Sequence, residues 1–407
     1  MHVLWLPSWF PAFAGDTAGS FFAEQAESLA GAGMRVGVLA PRAVNLTLPS
    51  ATPVRLSWEN GVQVARFAAP QVIASTRALS TRWAAAATEN AFAAYVRAQG
   101  MPDVLHAHSL YPGAFFAARL ARRHGIPFVY TEHRSLMHIP VRSRLGRISE
   151  RAIVAAASAR TAVSVGLAQH LEERFGPACG AWGYTPNLLP LGDDVAGQPP
   201  GNATAHGSGP VVGHLSLLGE EKRTDLVIGA FESLFAQWRA RGANQATRPV
   251  LRIAGPTDSP DGQRTVAQVK ASPAWEAIEL TGKLDRTSIA AFCGGLDVFL
   301  LPSDTETFGV AAIEALAQGT PVIATRTWGG RSVVQAGDGC LVPIGDGQAL
   351  GHALRELVSQ VPEAASVRRE RAERCVARFG RTAFTERWHE IYLAAATSAT
   401  KDRGMSK

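Results

Sequence analysis

Residues 297–325, Asp297-Val-Phe-Leu-Leu-Pro-Ser-Asp-Thr-Glu-Thr-Phe-Gly-Val-Ala-Ala-Ile-Glu-Ala-Leu-Ala-Gln-Gly-Thr-Pro-Val-Ile-Ala-Thr325, leave this chain little choice of local fold. The apolar run 297–301 has strand length and stops at Pro302. A polar turn follows over 303–307. Gly309 opens a helix that Gly319 and Pro321 close, because glycine suits the position just past a helix end and proline cannot continue it. Residues 321–325 form the next strand. Strand, helix and strand within about thirty residues make a βαβ unit with a parallel pair.

Two carboxylates sit on that unit. Glu306 precedes the helix, and Glu314 lies inside it beside Val310, Ile313 and Ala317, on the stripe that should be buried. Taken singly, each has a plain reading: a solvated acid at a helix start, and a charge that snorkels out of the core. Together they suit a ligand. A helix N-terminus at the carboxyl edge of a parallel sheet presents free N–H groups and the positive end of the helix dipole to a diphosphate. The helix rises roughly 7–8 Å from Gly309 to Glu314 at 1.5 Å per residue. One carboxylate could then hold sugar hydroxyls near each end of the diphosphate, and a nucleotide-sugar has that shape.

The pair Glu306 and Glu314, eight apart, with Phe308-Gly309 between them and Gly329-Gly330 after the next strand, resembles the donor site of retaining glycosyltransferases. More narrowly, it resembles the GT-B group called glycosyltransferase family 4, or glycosyl transferases group 1. The resemblance implies an α/β fold of two Rossmann-like domains with parallel sheets facing across a cleft. Residues 1–190 would bind the acceptor and 211–375 the donor, with a Gly- and Pro-rich linker at 191–210. The terminal helix in 376–407 would cross back to the first domain. It also implies roles: Glu314 at the ribose, Glu306 at the transferred sugar, the Gly309 helix end at the diphosphate, and Thr307 and Phe308 among the substrate-binding residues. Lys222 would be the main phosphate cation. His214 stands where the family carries an arginine, so it would supply a hydrogen-bond donor without fixed charge, or Arg223 would fill in. His108 ends the strand of Pro102-Asp-Val-Leu-His-Ala-His108 and would lie over the reacting sugar, with His133 nearer the acceptor. Gly19, in the loop after the first strand, would face donor and acceptor. No metal and no cofactor are implied. The segment after Gly330 runs on as Arg331-Ser-Val-Val without the family's glutamate, which leaves the sugar open.

A chain of 407 residues suits two domains with full cores. No uncharged apolar run reaches the ~18 residues a spanning helix needs. Ala12-Phe13-Ala14 imitates a cleavage site, but no Lys or Arg precedes the apolar run before it and Pro7 interrupts that run, so residues 2–6 read as a buried first strand. The four cysteines are far apart in sequence, which argues against a disulfide framework or a zinc site and suits a reducing cytoplasm.

The net charge is +6, and between Arg119 and Arg151 eight arginines meet two glutamates, a surplus equal to the whole excess. A solvated basic face is one reading. An anionic partner is the other: a bilayer surface touched through Arg134, Arg142, Arg144, Arg147 and Arg151, a lipid-linked acceptor, or an acidic saccharide. Nucleic acid is not expected, since no recognised motif is present and few aromatics interleave the arginines.

The whole pattern predicts a retaining transferase. It would move a sugar from a UDP- or GDP-sugar to a saccharide or lipid-linked acceptor, in the building of a glycan or cell-surface polysaccharide. The rivals are a related epimerase or phosphorylase and a binding protein without catalysis. A dehydrogenase is disfavoured because G-x-G-x-x-G is absent.

Overall fold

The computed structural model describes residues 1–13, 16, 19–44, 53–70, 77–135, 144–191, 209–242 and 244–405. The chain divides into two compact units, Met1–Leu188 with Phe384–Lys407, and Leu189–Ala383. Nearly all of the expected linker, at 192–208, falls outside the described residues.

In the first unit the elements run β1 (His2–Pro7), α1 (Ser20–Gly31), β2 (Arg35–Val44), β3 (Arg55–Glu59), β4 (Val62–Pro70), α2 (Arg77–Gln99), β5 (Val104–His108), α3 (Phe115–His124), β6 (Phe128–Glu132), α4 (Arg144–Ala155), β7 (Ala159–Ala162), α5 (Val165–Phe175) and β8 (Gly183–Tyr184). They build an eight-stranded sheet of order β3-β4-β2-β1-β5-β6-β7-β8. Every pairing in it is parallel except the β3–β4 hairpin. β1, β5 and β6 are buried along their whole length, as expected of strands covered on both faces.

Three details of this unit are not set by hydrophobic period. The edge strand β3 has no buried apolar face that a period-2 reading could find, since Leu56 and Trp58 are both exposed. β7 stops at Ala162, because the Ser164 hydroxyl caps α5 by accepting the Leu167 N–H at 3.3 Å. The chain enters α3 through one wide turn, Leu110–Ala114, and becomes a regular helix only at Phe115. That turn is tied down by the buried carboxylate of Glu132, which accepts the Leu110 N–H at 2.9 Å.

The terminal helix α13 (Arg381–Met405) carries Phe384, Trp388, Tyr392 and Ala395. Spaced four, four and three apart, these form one helical stripe, and all four are buried in the first unit's core with Val3, Trp5, Phe22 and Val36.

The second unit begins with β9 (Val211–Leu215) and α6 (Thr224–Ala240), then β10 (Val250–Ala254), α7 (Pro260–Ala271), β11 (Ile278–Gly282), α8 (Arg286–Gly294) and β12 (Val298–Leu301). It continues with α9 (Val310–Ala317), β13 (Val322–Thr325), α10 (Trp328–Val333), β14 (Gly339–Val342), α11 (Gly347–Val358) and α12 (Ala365–Phe379). Its six-stranded sheet, β11-β10-β9-β12-β13-β14, is parallel throughout. The strand–helix–strand reading of 297–325 matches β12, α9 and β13. The Gly329-Gly330 stretch lies in the short helix α10, whose N-cap hydroxyl on Thr327 accepts the Gly330 N–H at 3.1 Å.

Strand order decides where ligands can sit. In each sheet the chain first winds one way and then reverses, between β1 and β5 in the first and between β9 and β12 in the second. The loops leaving the two strands at such a reversal diverge to opposite sides and leave a crevice at the carboxyl edge. The loops after β9 and β12 carry Lys222 and Glu306, and β5 itself ends at His108.

Candidate active site

In the second unit, the turn after β9 tightens into a 3₁₀ turn, Glu220–Lys222, before α6 starts. It sends Lys222 toward the loop after β12, where its ammonium meets the Glu306 carboxylate at 2.8 Å. The side chains are 20% and 15% exposed, so the pair is shielded but reachable. The Asp304 N–H donates to the Glu221 carbonyl at 2.8 Å, stitching the two loops together.

Gly309 caps α9 with φ 96°, a backbone that a β-carbon would strain. This left-handed turn starts a helix whose first N–H groups have no intrahelical partner. Its neighbour α10 fits only because residue 329 is glycine. A β-carbon there would lie 2.5 Å from the Phe308 carbonyl oxygen, and the Gly329 N–H donates to the Glu306 carbonyl at 2.8 Å. Thr307 is half-buried. The Phe308 ring turns into the core, edge-on to Phe379 at 5.6 Å, so only the Phe308 backbone remains for a ligand.

Glu314 is 3% exposed and does not snorkel; Arg286, at the start of α8, reaches it with a 2.7 Å hydrogen bond. Sequence reasoning missed Arg286, because nothing in the residues near Glu314 announces a partner 28 positions earlier.

Two expectations about cations are corrected. His214 does not offer a donor to phosphates: it is fully buried and both ring nitrogens are used. Nδ1–H donates to the Leu300 carbonyl at 2.9 Å, which makes Nε2 the acceptor for the Ser216 hydroxyl at 2.8 Å. The imidazole thus ties β9 to β12. Burial pushes it down to about 4, opposed by the bond to Leu300 and helped by the charge of Lys222. Nor is Arg223 a spare cation, since its guanidinium is forked onto Asp225 at 2.9 and 2.8 Å and also onto Asp304 at 3.1 Å.

In the first unit, His106 and His108 point to one face of β5 and are both fully buried. The Trp5 indole can only donate, so at 3.1 Å the Tyr392 hydroxyl accepts from it and gives its own hydrogen to His106 Nδ1 at 2.6 Å. His106 therefore carries its proton on Nε2 and donates it to the Thr131 hydroxyl at 2.8 Å. That is a closed structural chain.

His108 and His133 form an open one. Nδ1 of His108 lies 3.1 Å from Nε2 of His133, and the outer nitrogens, His108 Nε2 and His133 Nδ1, are buried without a hydrogen-bond partner. Burial drives His108 well below the ordinary histidine value, with the charges of His106 and His133 adding. Burial and the Arg134 charge bring His133 to about 3, with the nearby Asn187 side chain opposing the shift. Each neutral ring has one N–H and the shared bond uses one of the two. The outer nitrogens must then be one donor and one acceptor, a match for a hydroxyl.

Gly19 caps α1 with φ 77°, and a β-carbon there would meet the Trp9 ring at 2.8 Å, so its open side is filled by Trp9. Among the described residues no three His, Cys, Asp or Glu side chains are grouped to hold a metal ion. No helix among them is long and apolar enough to cross a membrane. Of the basic segment, Arg142 lies outside the described residues, as do the side chains of Arg144 and Arg147. Arg134 is turned inward, donating to the Tyr111 carbonyl at 3.0 Å and lying 5.0 Å from the centre of the Trp9 ring.

Comparison with known proteins gives this arrangement a class. Residues 203–374 match the family model "Glycosyl transferases group 1", and residues 17–179 match "Glycosyl transferase 4-like domain". The chain is 28% identical over 303 residues to a glycogen synthase of Mycobacterium tuberculosis, a match that takes in 72% of this chain and 69% of that protein. It is 29% identical over 257 residues, 60% of this chain and 62% of the relative, to that organism's GDP-mannose-dependent alpha-(1-6)-phosphatidylinositol dimannoside mannosyltransferase. Among solved structures, sucrose-phosphate synthase from Thermosynechococcus elongatus superposes with a TM-score of 0.73 at 20% identity, covering 98% of this chain and all of that one. The Anabaena protein HepE in complex with UDP and glucose gives 0.67 at 16% identity over 96% and 99%. The chain belongs to the group 1 glycosyltransferases of the GT-B fold.

Proposed function

We propose that the protein is a retaining transferase using a nucleoside-diphosphate sugar, with the donor held by the second unit and a saccharide or lipid-linked acceptor by the first. The observation that carries this reading is the Lys222–Glu306 pair set before the Gly309 end of α9, with Glu314 one turn further in. In this reading the diphosphate lies at the α9 N-terminus, and the positive helix end and Lys222 stabilise the charge that develops as it leaves. Glu314 accepts from ribose hydroxyls and Glu306 from hydroxyls of the transferred sugar. The glycosidic C1–O bond breaks with its electron pair going to the phosphate. The acceptor hydroxyl adds to C1 on the same face and passes its proton to the departing phosphate oxygen. The His108–His133 pair supplies a hydroxyl-binding edge on the first unit. No metal ion is assigned a step.

UDP is named with structural neighbours and GDP-mannose with a relative, so both bases belong in the test. A thermal-shift panel of UDP- and GDP-sugars is the direct experiment. A ligand at 100 times its dissociation constant stabilises by about 2.7 kcal/mol, and a panel without any shift would reject the proposal.

A further inference from the structure

The carboxyl edge of the first sheet holds a cavity of about 530 Å³ whose lining includes Ser8, Trp9, Phe10, Arg42, Arg55 and Arg66. It arises because neighbouring strands differ in length. Trp5 of β1 is level with Val38 of β2, so β1 ends beside Ala40. β2, however, continues to Val44 and pairs with β4 as far as Pro70. The segment after β1 folds back along this overhang, held by the Arg66 guanidinium donating to the Pro11 carbonyl at 2.9 Å.

The charges on the overhang are out of balance. Arg55 and Arg66 are direct cross-strand partners in the β3–β4 hairpin, and like charges directly opposite are destabilising. Glu59 neutralises Arg66. Arg42 and Arg55 are exposed, and among the described residues no carboxylate pairs with either. Trp9 and Phe10 line the same cavity. The cavity also adjoins the histidine pair: Ser8 donates to the His108 carbonyl from both its N–H, at 3.1 Å, and its hydroxyl, at 2.8 Å. The Trp9 ring is 5.2 Å from Phe22, which is 4.8 Å from the His108 ring.

We propose that this cavity is the acceptor subsite and that the acceptor carries an anionic group, phosphate or carboxylate, on a sugar or cyclitol ring. The proposal rests on the transferase reading above and adds the acceptor's chemical class. Arg42 and Arg55 clamp the anion with planar, bidentate guanidinium groups, and the faces of Trp9 and Phe10 receive the ring. An anion there meets the two arginines that no carboxylate among the described residues pairs, whereas a neutral sugar leaves both charges unmet.

The test is calorimetric titration of the full chain, with UDP or GDP saturating the donor site, against glucose, glucose 6-phosphate and inorganic phosphate. Co-sedimentation with phosphatidylinositol-containing or pure phosphatidylcholine vesicles is measured alongside. Glucose 6-phosphate or the phosphatidylinositol vesicles should bind at least tenfold more tightly than their neutral counterparts. The Arg42→Gln/Arg55→Gln double variant should lose that gap while binding the nucleoside diphosphate as before. Binding of the vesicles alone makes the anion a lipid headgroup, and binding of the soluble ester alone makes it a sugar phosphate. Either supports the proposal. Equal binding of charged and neutral ligands, no binding of any anionic probe, or a gap that survives in the double variant overturns it. Failure of both nucleoside diphosphates to bind counts instead against the donor assignment.

Discussion

If Lys222 is the cation for the donor's diphosphate, then Glu306 competes with that phosphate whenever the site is empty. Replacing Glu306 by Gln should therefore tighten binding of the bare nucleoside diphosphate while abolishing transfer. The size of the effect follows from the ion pair. Two unit charges 2.8 Å apart attract by about 6 kcal/mol at an effective dielectric of 20 and by about 1.5 kcal/mol in water. With side chains 20% and 15% exposed, this pair lies between those limits. Part of the attraction is recovered because the amide of Gln still accepts a hydrogen bond. A net release on the order of 1–2 kcal/mol is expected, a five- to thirty-fold lower Kd for UDP or GDP by titration calorimetry. The same variant should lose transfer, because the hydroxyls of the sugar no longer meet a charged acceptor. Unchanged or weaker binding of both nucleoside diphosphates by Glu306→Gln would refute Lys222 as the phosphate cation, whatever happens to activity.

Glu314→Ala should weaken donor binding on the order of 1.5–3 kcal/mol through loss of a charge-assisted bond to ribose; equal affinity for every nucleotide-sugar would reject that assignment. Arg286→Gln should destabilise the fold by about 3 kcal/mol or more in urea melts, since it deprives a 3% exposed carboxylate of this partner. His214 has a folded-state value of about 4, below its ordinary 6.5, so the unfolded chain takes up the proton first. Its contribution is whole above pH 6.5 and falls away toward pH 4, by roughly 3 kcal/mol at 1.36 kcal/mol per unit; a His214→Asn variant should lose stability less steeply across that window. Gly329→Ala should cost more than 2 kcal/mol, because its β-carbon would press on the Phe308 backbone; nucleotide binding should fall with stability as the turn carrying Glu306 is displaced.

The fold was legible wherever hydrophobic period and helix punctuation agreed. Residues 297–325 carried both, and β12, α9 and β13 stand as the sequence implied. Legibility failed where a long-range polar contact set the boundary. The start of α3 is postponed by the Glu132 carboxylate on the Leu110 N–H, and β7 ends early because Ser164 is needed as a cap. β3 was invisible for another reason: its register comes from the hairpin with β4, so its own residues need no buried face.

The site was legible to the same limited extent. A carboxylate inside an apolar helix can be seen in the sequence, but the group that makes its burial tolerable cannot. Glu314 is met by Arg286, Glu306 by Lys222 and Asp304 by Arg223, and the partners come from elsewhere in the chain: Lys222 and Arg223 from the connection after β9, Arg286 from the start of α8. Such pairing is fixed only when strand order brings the loops together, and the reversal between β9 and β12 does so here. The same reasoning explains His214. At the family's arginine position a basic side chain suggests phosphate binding, yet the pleat directs this one into the sheet, where the Leu300 carbonyl and Ser216 hydroxyl consume its hydrogen bonds. With His214 neutral and Arg223 held by two aspartates, the proposed function leaves the positive charge for the donor to Lys222 and the α9 N-terminus. In an empty site Glu306 offsets that charge, which makes the affinity of Glu306→Gln for a bare nucleoside diphosphate the most sensitive measure of the whole arrangement.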